Sequence, residues 1–264
     1  MFKQVETSMP KNLWTREELI LAFNLYLKLP FGKMHKHNPE IIDLANLLDR
    51  TPSSIGMRLG NFASCDPGLQ ARGIGGLKGG MNQVQPIWDE FYSNQEELVF
   101  KSEEILAERQ KTTIAKKYAD ILLDIKDLEG KSAMRQVQAR VNQSVFRTMV
   151  LNNYYSKCCI TGLSIPALLV ASHIVPWSKN EKERLNPRNG LCLNALHDRA
   201  FDKGYMTITS DFKVCLSKAF MDFESEMAVQ AYFKAFDNIK IQIPDKFIPS
   251  KLFLEYHYEH VFIK

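Results

Sequence analysis

Cysteine is scarce in this chain and its spacing is uninformative. Cys65, Cys158, Cys159, Cys192 and Cys215 are odd in number and include no C-x-x-C pair. That argues against a disulfide framework and a zinc ribbon, and a structural zinc is disfavoured on the same ground. Buried thiols in a reducing compartment, the cytoplasm, are the expected state. Long apolar runs are missing too, with nothing near the roughly eighteen residues that a membrane span needs. The opening Met1-Phe2-Lys3-Gln4-Val5-Glu6 lacks the apolar segment of a secretion signal, so no membrane association is expected.

Acidic residues are absent over one long stretch. From Gly130 to Asn180 there is no Asp or Glu, while Lys131, Arg135, Arg140, Arg147, Lys157 and Lys179 are all positive. One sign of charge over that length makes a local field that draws polyanions and weakens with salt. A solvated helix face balanced by acids elsewhere is the plainer alternative, and a net charge of +4 is too small to decide between them. What is present is ample apolar material. With 264 residues, 45% of them hydrophobic, the chain can bury one large core or two modest ones.

Periodicity organises the front of the chain. Thr15 can cap a helix whose first turn carries Glu17 and Glu18, and Leu19, Ala22, Phe23, Tyr26 and Leu27 recur at helical steps until Pro30. A second helix is expected over about 39–49 and a third after Thr51, carrying the apolar Ile55, Met57, Leu59 and Phe62. Two short helices joined by a tight turn form the helix-turn-helix pattern, whose second helix enters the major groove. Ser53, Ser54, Arg58 and Asn61 are the side chains expected to read DNA there, against the alternative of an ordinary helical hairpin. The glycine-rich run 73–80 lacks the G-K-[ST] ending of a phosphate loop and reads as a flexible wing or loop. Charged, helix-forming sequence over 96–130 reads as a linker with surface helices. A further helix over about 133–152 places Val137, Val141, Val145 and Met149 on one side and Arg140, Gln143 and Arg147 on another, a face suited to phosphates.

The chemistry concentrates between Ser172 and Gly204. An apolar run suited to a buried strand ends on His173; a charged loop leads to Asn189; a short strand, Leu191-Cys192-Leu193, precedes a helix from about Asn194 to Lys203 closed by Gly204. Asp198 and Asp202 lie four apart and stack on one side of that helix. Two carboxylates facing a histidine suit one hard cation and one general base. Magnesium, which keeps several of its waters, needs no larger protein set, and manganese would serve equally. His197, beside Asp198 but on a diverging face from Asp202, is expected to contact phosphate or to support the site indirectly. His257 and His260 near the end read as packing or surface residues.

The segments Ala171-Ser172-His173-Ile174-Val175-Pro176-Trp177 and 188–204, Arg188-Asn189-Gly190 through Phe201-Asp202-Lys203-Gly204, resemble the HNH endonucleases with a ββα-metal finger, in particular the branch attached to bacterial restriction proteins. The resemblance covers about 135–210. It implies a general base at His173, a loop-holding role for Asn189 and metal binding by Asp198 and Asp202. Many such sites have an acid just before the histidine, where this chain has Ser172.

The expected fold is therefore α+β. It comprises a helix-turn-helix, winged-helix-like domain over 1–95, a helical linker over 96–130 and a ββα-metal HNH nuclease domain over 131–264. The expected activity is restriction-type cleavage of double-stranded DNA, with dependence on cytosine modification as a refinement and a homodimer as the route to double-strand breaks. The competing expectations are a DNA-binding regulator built on an inert HNH-like scaffold, and a structure-specific or RNA nuclease.

Overall fold

Helix α1, Arg16–Lys28, is the hub of the molecule. In the computed structural model, which describes residues 13–122 and 130–264, every residue of α1 from Glu18 to Leu27 is buried. The opening stretch read for a secretion signal, residues 123–129 of the expected linker and the side chain of Lys131 lie outside the described residues. A capping box starts α1, with the Glu18 amide donating to the Thr15 hydroxyl (3.3 Å) and the Thr15 amide to the Glu18 carboxylate (2.7 Å). Arg50 then grips both oxygens of that carboxylate, at 2.8 and 2.9 Å. A helix apolar all round needs neighbours on every side. Here they are α3 (Pro52–Cys65), α5 (Met81–Phe91), α6 (Gln95–Arg109) and α8 (Gly130–Asn153). Phe23 stacks between Phe62 and Trp88, with ring centroids 4.7 and 5.0 Å away.

Helix α2, Pro39–Leu47, packs on α3, and proline at the first helical position of each costs no hydrogen bond. The short α4, Pro67–Gln70, follows. The glycine-rich run is a loop rather than a β-wing: it forms no strand, and among the described residues strands occur only beyond residue 168. Instead the run lies against α3, where the Asn61 side-chain amide donates to the carbonyls of Leu77 and Gly79, and Arg58 donates to the Gly80 carbonyl and to Oδ1 of Asn61. The helices of the stretch after residue 95 differ in exposure. α6 buries Leu98, Val99, Ser102, Glu103 and Ile105, whereas α7, Ile114–Lys117, has no buried residue and lies at the surface as expected of this stretch. The Glu103 carboxylate sits between Lys28 (2.6 Å) and Lys117 (2.7 Å), which hold its pKa down to about 2 against the upward push of burial.

The rear of the chain begins on α8, which touches α1 and α6 on one side and a small hairpin on the other. The hairpin pairs β1 (Leu169–His173) antiparallel with β2 (Gly190–Asn194), setting His173 opposite Gly190. β2 runs without a loop into α9, Ala195–Asp202, because Asn194 ends the strand and caps the helix through the His197 amide (2.8 Å). Gly204 closes α9 at φ +73°; a side chain there would collide with the Val261 carbonyl. β3 (Met206–Ile208) and β4 (Val214–Leu216) form a second antiparallel pair. Helix α10, Met227–Tyr232, follows, and a single antiparallel bridge joins Lys213 to Lys240. α11, Lys251–His260, packs on β3 and buries His257 in a stack on Phe201. No helix among the described residues is long and apolar enough to cross a membrane.

Front and rear share polar contacts that range from exposed to fully buried. Asp66 accepts from Tyr26 (3.0 Å) and from Arg188 (2.7 Å), the residue before Asn189. Arg72 donates to the Asp245 carbonyl, and Lys246 reaches the carbonyls of Tyr26 and Leu29 at the end of α1.

Candidate active site

His173 stands at the end of β1 with its ring fixed on three sides. One face stacks on Phe146 of α8 (3.9 Å, 11°), Trp177 meets it edge-on (5.3 Å), and Nε2 lies 2.9 Å from the Arg184 carbonyl. A carbonyl only accepts, so this contact places the imidazole proton on Nε2 and leaves Nδ1 as the basic nitrogen. Burial lowers the pKa of His173 from its ordinary value; the Arg184 carbonyl opposes that shift and the Arg184 charge adds to it. The ring is consequently neutral at neutral pH.

Asn189 holds the loop that follows the histidine. Its side chain is buried, accepts from the Val175 amide (2.8 Å) and donates to the carbonyls of Val175 and Glu183 (3.2 Å each). Its own carbonyl takes the Ile174 amide at 3.0 Å. The loop carrying Arg184, and with it the partner of Nε2, is thereby tied to β1. Asn189→Ala would leave three buried backbone groups unpaired at about 1 kcal/mol or more each. We expect it to cost roughly 3–5 kcal/mol by thermal unfolding; a loss under about 1 kcal/mol would mean that water replaces the clamp.

Asp198 and Asp202 project from one side of α9 into an open cleft of about 440 Å³, which His173, Ser172, Trp177, Arg199 and Lys203 also line. Both carboxyls have raised pKa values, mainly through burial. For Asp198 the nearby Ser172 hydroxyl opposes the shift and the charge of Asp202 adds to it; for Asp202, Arg199 and Lys203 oppose it. The Ser172 hydroxyl is buried and makes no hydrogen bond of ordinary geometry. Two partly buried carboxylates on one side of the helix offer oxygen ligands to a cation, whose charge would offset the cost of their burial. Among the described residues no three His, Cys, Asp or Glu side chains are arranged to hold a metal together. The pair therefore fits a hard cation that keeps much of its water shell, and does not fit a closed zinc cage.

Of the remaining expected residues, Gln143 and Arg147 line a hollow of about 300 Å³ that shares His173 and Trp177 with the cleft. Arg147 is partly committed, donating to the carbonyls of Leu169 (2.7 Å) and Pro166 (3.1 Å) where β1 begins. Arg140 is exposed two turns earlier on α8. His197 turns away from the cleft: it is buried between Phe233 and Phe236, with Nε2 donating to the Tyr232 carbonyl (2.7 Å). One residue along a helix is a 100° turn, which takes it off the Asp198 face and removes it as a phosphate contact. Arg58 and Asn61 are likewise buried, spent on the glycine-rich loop, so only Ser53 and Ser54 of the four expected reading residues reach the surface of α3. Phe146, Trp177 and the Arg184 carbonyl, which orient the imidazole, were not anticipated. Nor was the ridge of Arg199 and Lys203, although their i, i+4 spacing beside the two aspartates was the available signal.

A strand hairpin running straight into a helix, with a histidine at the hairpin end and carboxylates on the helix, is the ββα arrangement of metal-dependent nucleases. Residues 158–209 match the HNH endonuclease family, a stretch that holds β1, β2, α9 and β3. The match over this stretch suggests a nuclease acting on nucleic acid; HNH nucleases generally use a divalent metal. Comparison with curated proteins gave no match.

Proposed function

We propose that this protein is a restriction-type endonuclease that hydrolyses DNA phosphodiester bonds with His173 as general base and one divalent cation, magnesium or manganese, at Asp198 and Asp202. The observation that carries this reading is the cleft itself. It is shared by a neutral imidazole of fixed tautomer and by two carboxylates in want of a cation. In the reaction Nδ1 of His173 takes a proton from water as its oxygen bonds to phosphorus, and the bond to the 3′ oxygen breaks; that oxygen leaves as an alkoxide and takes a proton from a second, solvent water, leaving a 5′-phosphate and a 3′-hydroxyl. When bound, the cation supplies positive charge for the leaving oxygen. Asn189 keeps the Arg184 carbonyl on Nε2, and Gln143, Arg147 and Arg140 offer polar contacts to the strand.

Residues 131–264 do the cutting in this account, and 1–95, joined through 96–130, choose the DNA. Dependence on modified cytosine is part of the proposal, as is pairing of two copies for double-strand cuts. A second reading, a structure-specific or RNA nuclease, is favoured by one observation: Arg58 and Asn61 are turned inward, leaving α3 few groups with which to read a duplex.

The test is digestion, with and without magnesium or manganese, of DNAs bearing unmodified, methylated, hydroxymethylated or glucosylated cytosine, alongside branched DNA and RNA. Cleavage of RNA or branches alone would move the conclusion to the second reading, and no cleavage of any substrate would remove both. Asp198→Asn and Asp202→Asn should each raise the metal concentration for half-maximal cleavage by at least the roughly 10–100-fold lost with an outer-shell partner. Because both pKa values are raised, metal binding should weaken with falling pH before the ordinary carboxylate value of about 3.9 is reached.

A further inference from the structure

Behind the cleft, on the next face of α9, lies a second hollow of about 620 Å³. Its floor is Phe220, Val229 and Phe233, all buried; its rim includes Phe223, 49% exposed, and Leu196, 49% exposed. Phe220 and Phe233 pack ring against ring at 4.6 Å. Arg199 and Lys203 line both this hollow and the cleft, and both are exposed. α9 therefore presents three successive stripes: Asp198 and Asp202 to the cleft, Arg199 and Lys203 along a ridge, Leu196 and Ala200 to the hollow. Glu226 stands at the hollow's edge, exposed, capping α10 without using its side chain.

We propose that this hollow receives one unpaired nucleobase of the strand whose phosphate lies against the Arg199 and Lys203 ridge. The inference rests on the nuclease reading above and adds a feature of the substrate to it. The fit is one of chemistry and order. A nucleotide places an anionic phosphate and an apolar-faced base about one helix stripe apart, and the surface offers cations and then exposed aromatic and aliphatic side chains in the same sequence. Glu226 is acceptor-only, so it favours bases with an exocyclic amine, adenine, cytosine and guanine. In thymine the ring N–H lies between two carbonyl oxygens that a carboxylate repels. A fully paired duplex would have to surrender a base to fill the hollow; a mismatch, a bulge or a single strand would not.

The experiment measures binding of the full chain to short oligonucleotides that are single-stranded, or duplex with one bulged nucleotide. The probed position is 2-aminopurine, cytosine, thymine or an abasic site, and cleavage with magnesium or manganese is followed in parallel. The wild-type protein should quench 2-aminopurine and bind the base-bearing strands about 5- to 100-fold more tightly than the abasic one, the range that stacking of one base supplies. Phe223→Ala should erase that difference, and Glu226→Gln should erase the preference for cytosine over thymine; both positions are exposed, and unfolding curves verify that the variants fold. Equal affinity for base-bearing and abasic strands in a protein that cleaves would overturn the pocket and leave the nuclease reading standing. Base discrimination without cleavage would do the reverse, and neither property would remove both.

Discussion

His173→Ala should lower metal-supported cleavage by about 10²–10⁴-fold, the range that a positioned general base contributes, while affinity for nucleic acid stays near wild type. The effect is large because the structure commits the imidazole so completely. Phe146 and Trp177 fix its plane, the Arg184 carbonyl fixes its tautomer, and burial keeps it neutral at neutral pH. The pH profile carries the same information. A base of lowered pKa remains competent as pH falls past the ordinary histidine value of about 6.5, so the acid limb should lie below that point. The same shift makes neutral His173 a source of stability that is present above the unfolded-state value and lost as pH falls through the folded one. Alanine also removes a ring from the Phe146 stack, so cleavage should be compared with His173→Gln, which keeps bulk without a base. Full activity in either variant, with unfolding curves near wild type, would eliminate the imidazole as base.

How much of this could be read beforehand depended on distance along the chain. The first helix follows from steps of three and four residues and from Thr15 before two glutamates, and it forms as α1 with the capping box in place. α9 was equally legible, since its cap, its closing glycine and the stacking of Asp198 on Asp202 are all set within ten residues. The surroundings of His173 were not. Phe146 comes from another helix, and the Arg184 partner is a backbone carbonyl, a group that every residue carries. The polar face of α3 misled for a related reason. Periodicity shows that Arg58 and Asn61 share a side, but not that the glycine-rich loop folds back to occupy it. Residues 95–109 read as a surface element because glutamates stud the sequence, yet Glu103 is buried and neutralised by two lysines, one of them from α1.

Lys246→Ala should be the most destabilising single change on the surface shared by front and rear, for a reason that begins with a proline. The Tyr26 carbonyl in the last turn of α1 would ordinarily accept from the amide four residues on, but that residue is Pro30 and has no amide hydrogen. Lys246, fully buried, supplies the missing donor and also satisfies the Leu29 carbonyl, with its ammonium over the rings of Tyr26 and Phe247. Alanine strands both carbonyls, at about 1–3 kcal/mol each, and removes a buried side chain whose Nζ lies over both rings. At roughly 2–4 °C per kcal/mol for a chain of about this size, the melting temperature should fall by about 5–20 °C. Lys246→Met keeps an aliphatic stem of similar length in the buried site, so it should recover part of that loss. The comparison between the two also has a pH signature. Burial drives the pKa of Lys246 well below its ordinary value, with Asp66 opposing. The stability linked to this group is therefore complete above about 10.4, the unfolded-state value, and declines as pH falls through the depressed one. The wild-type protein should accordingly gain stability over the methionine variant as pH rises through that window. Coincident melting temperatures for wild type, Ala and Met would show that the two carbonyls find other donors and that the lysine does not hold α1 to the rear of the chain.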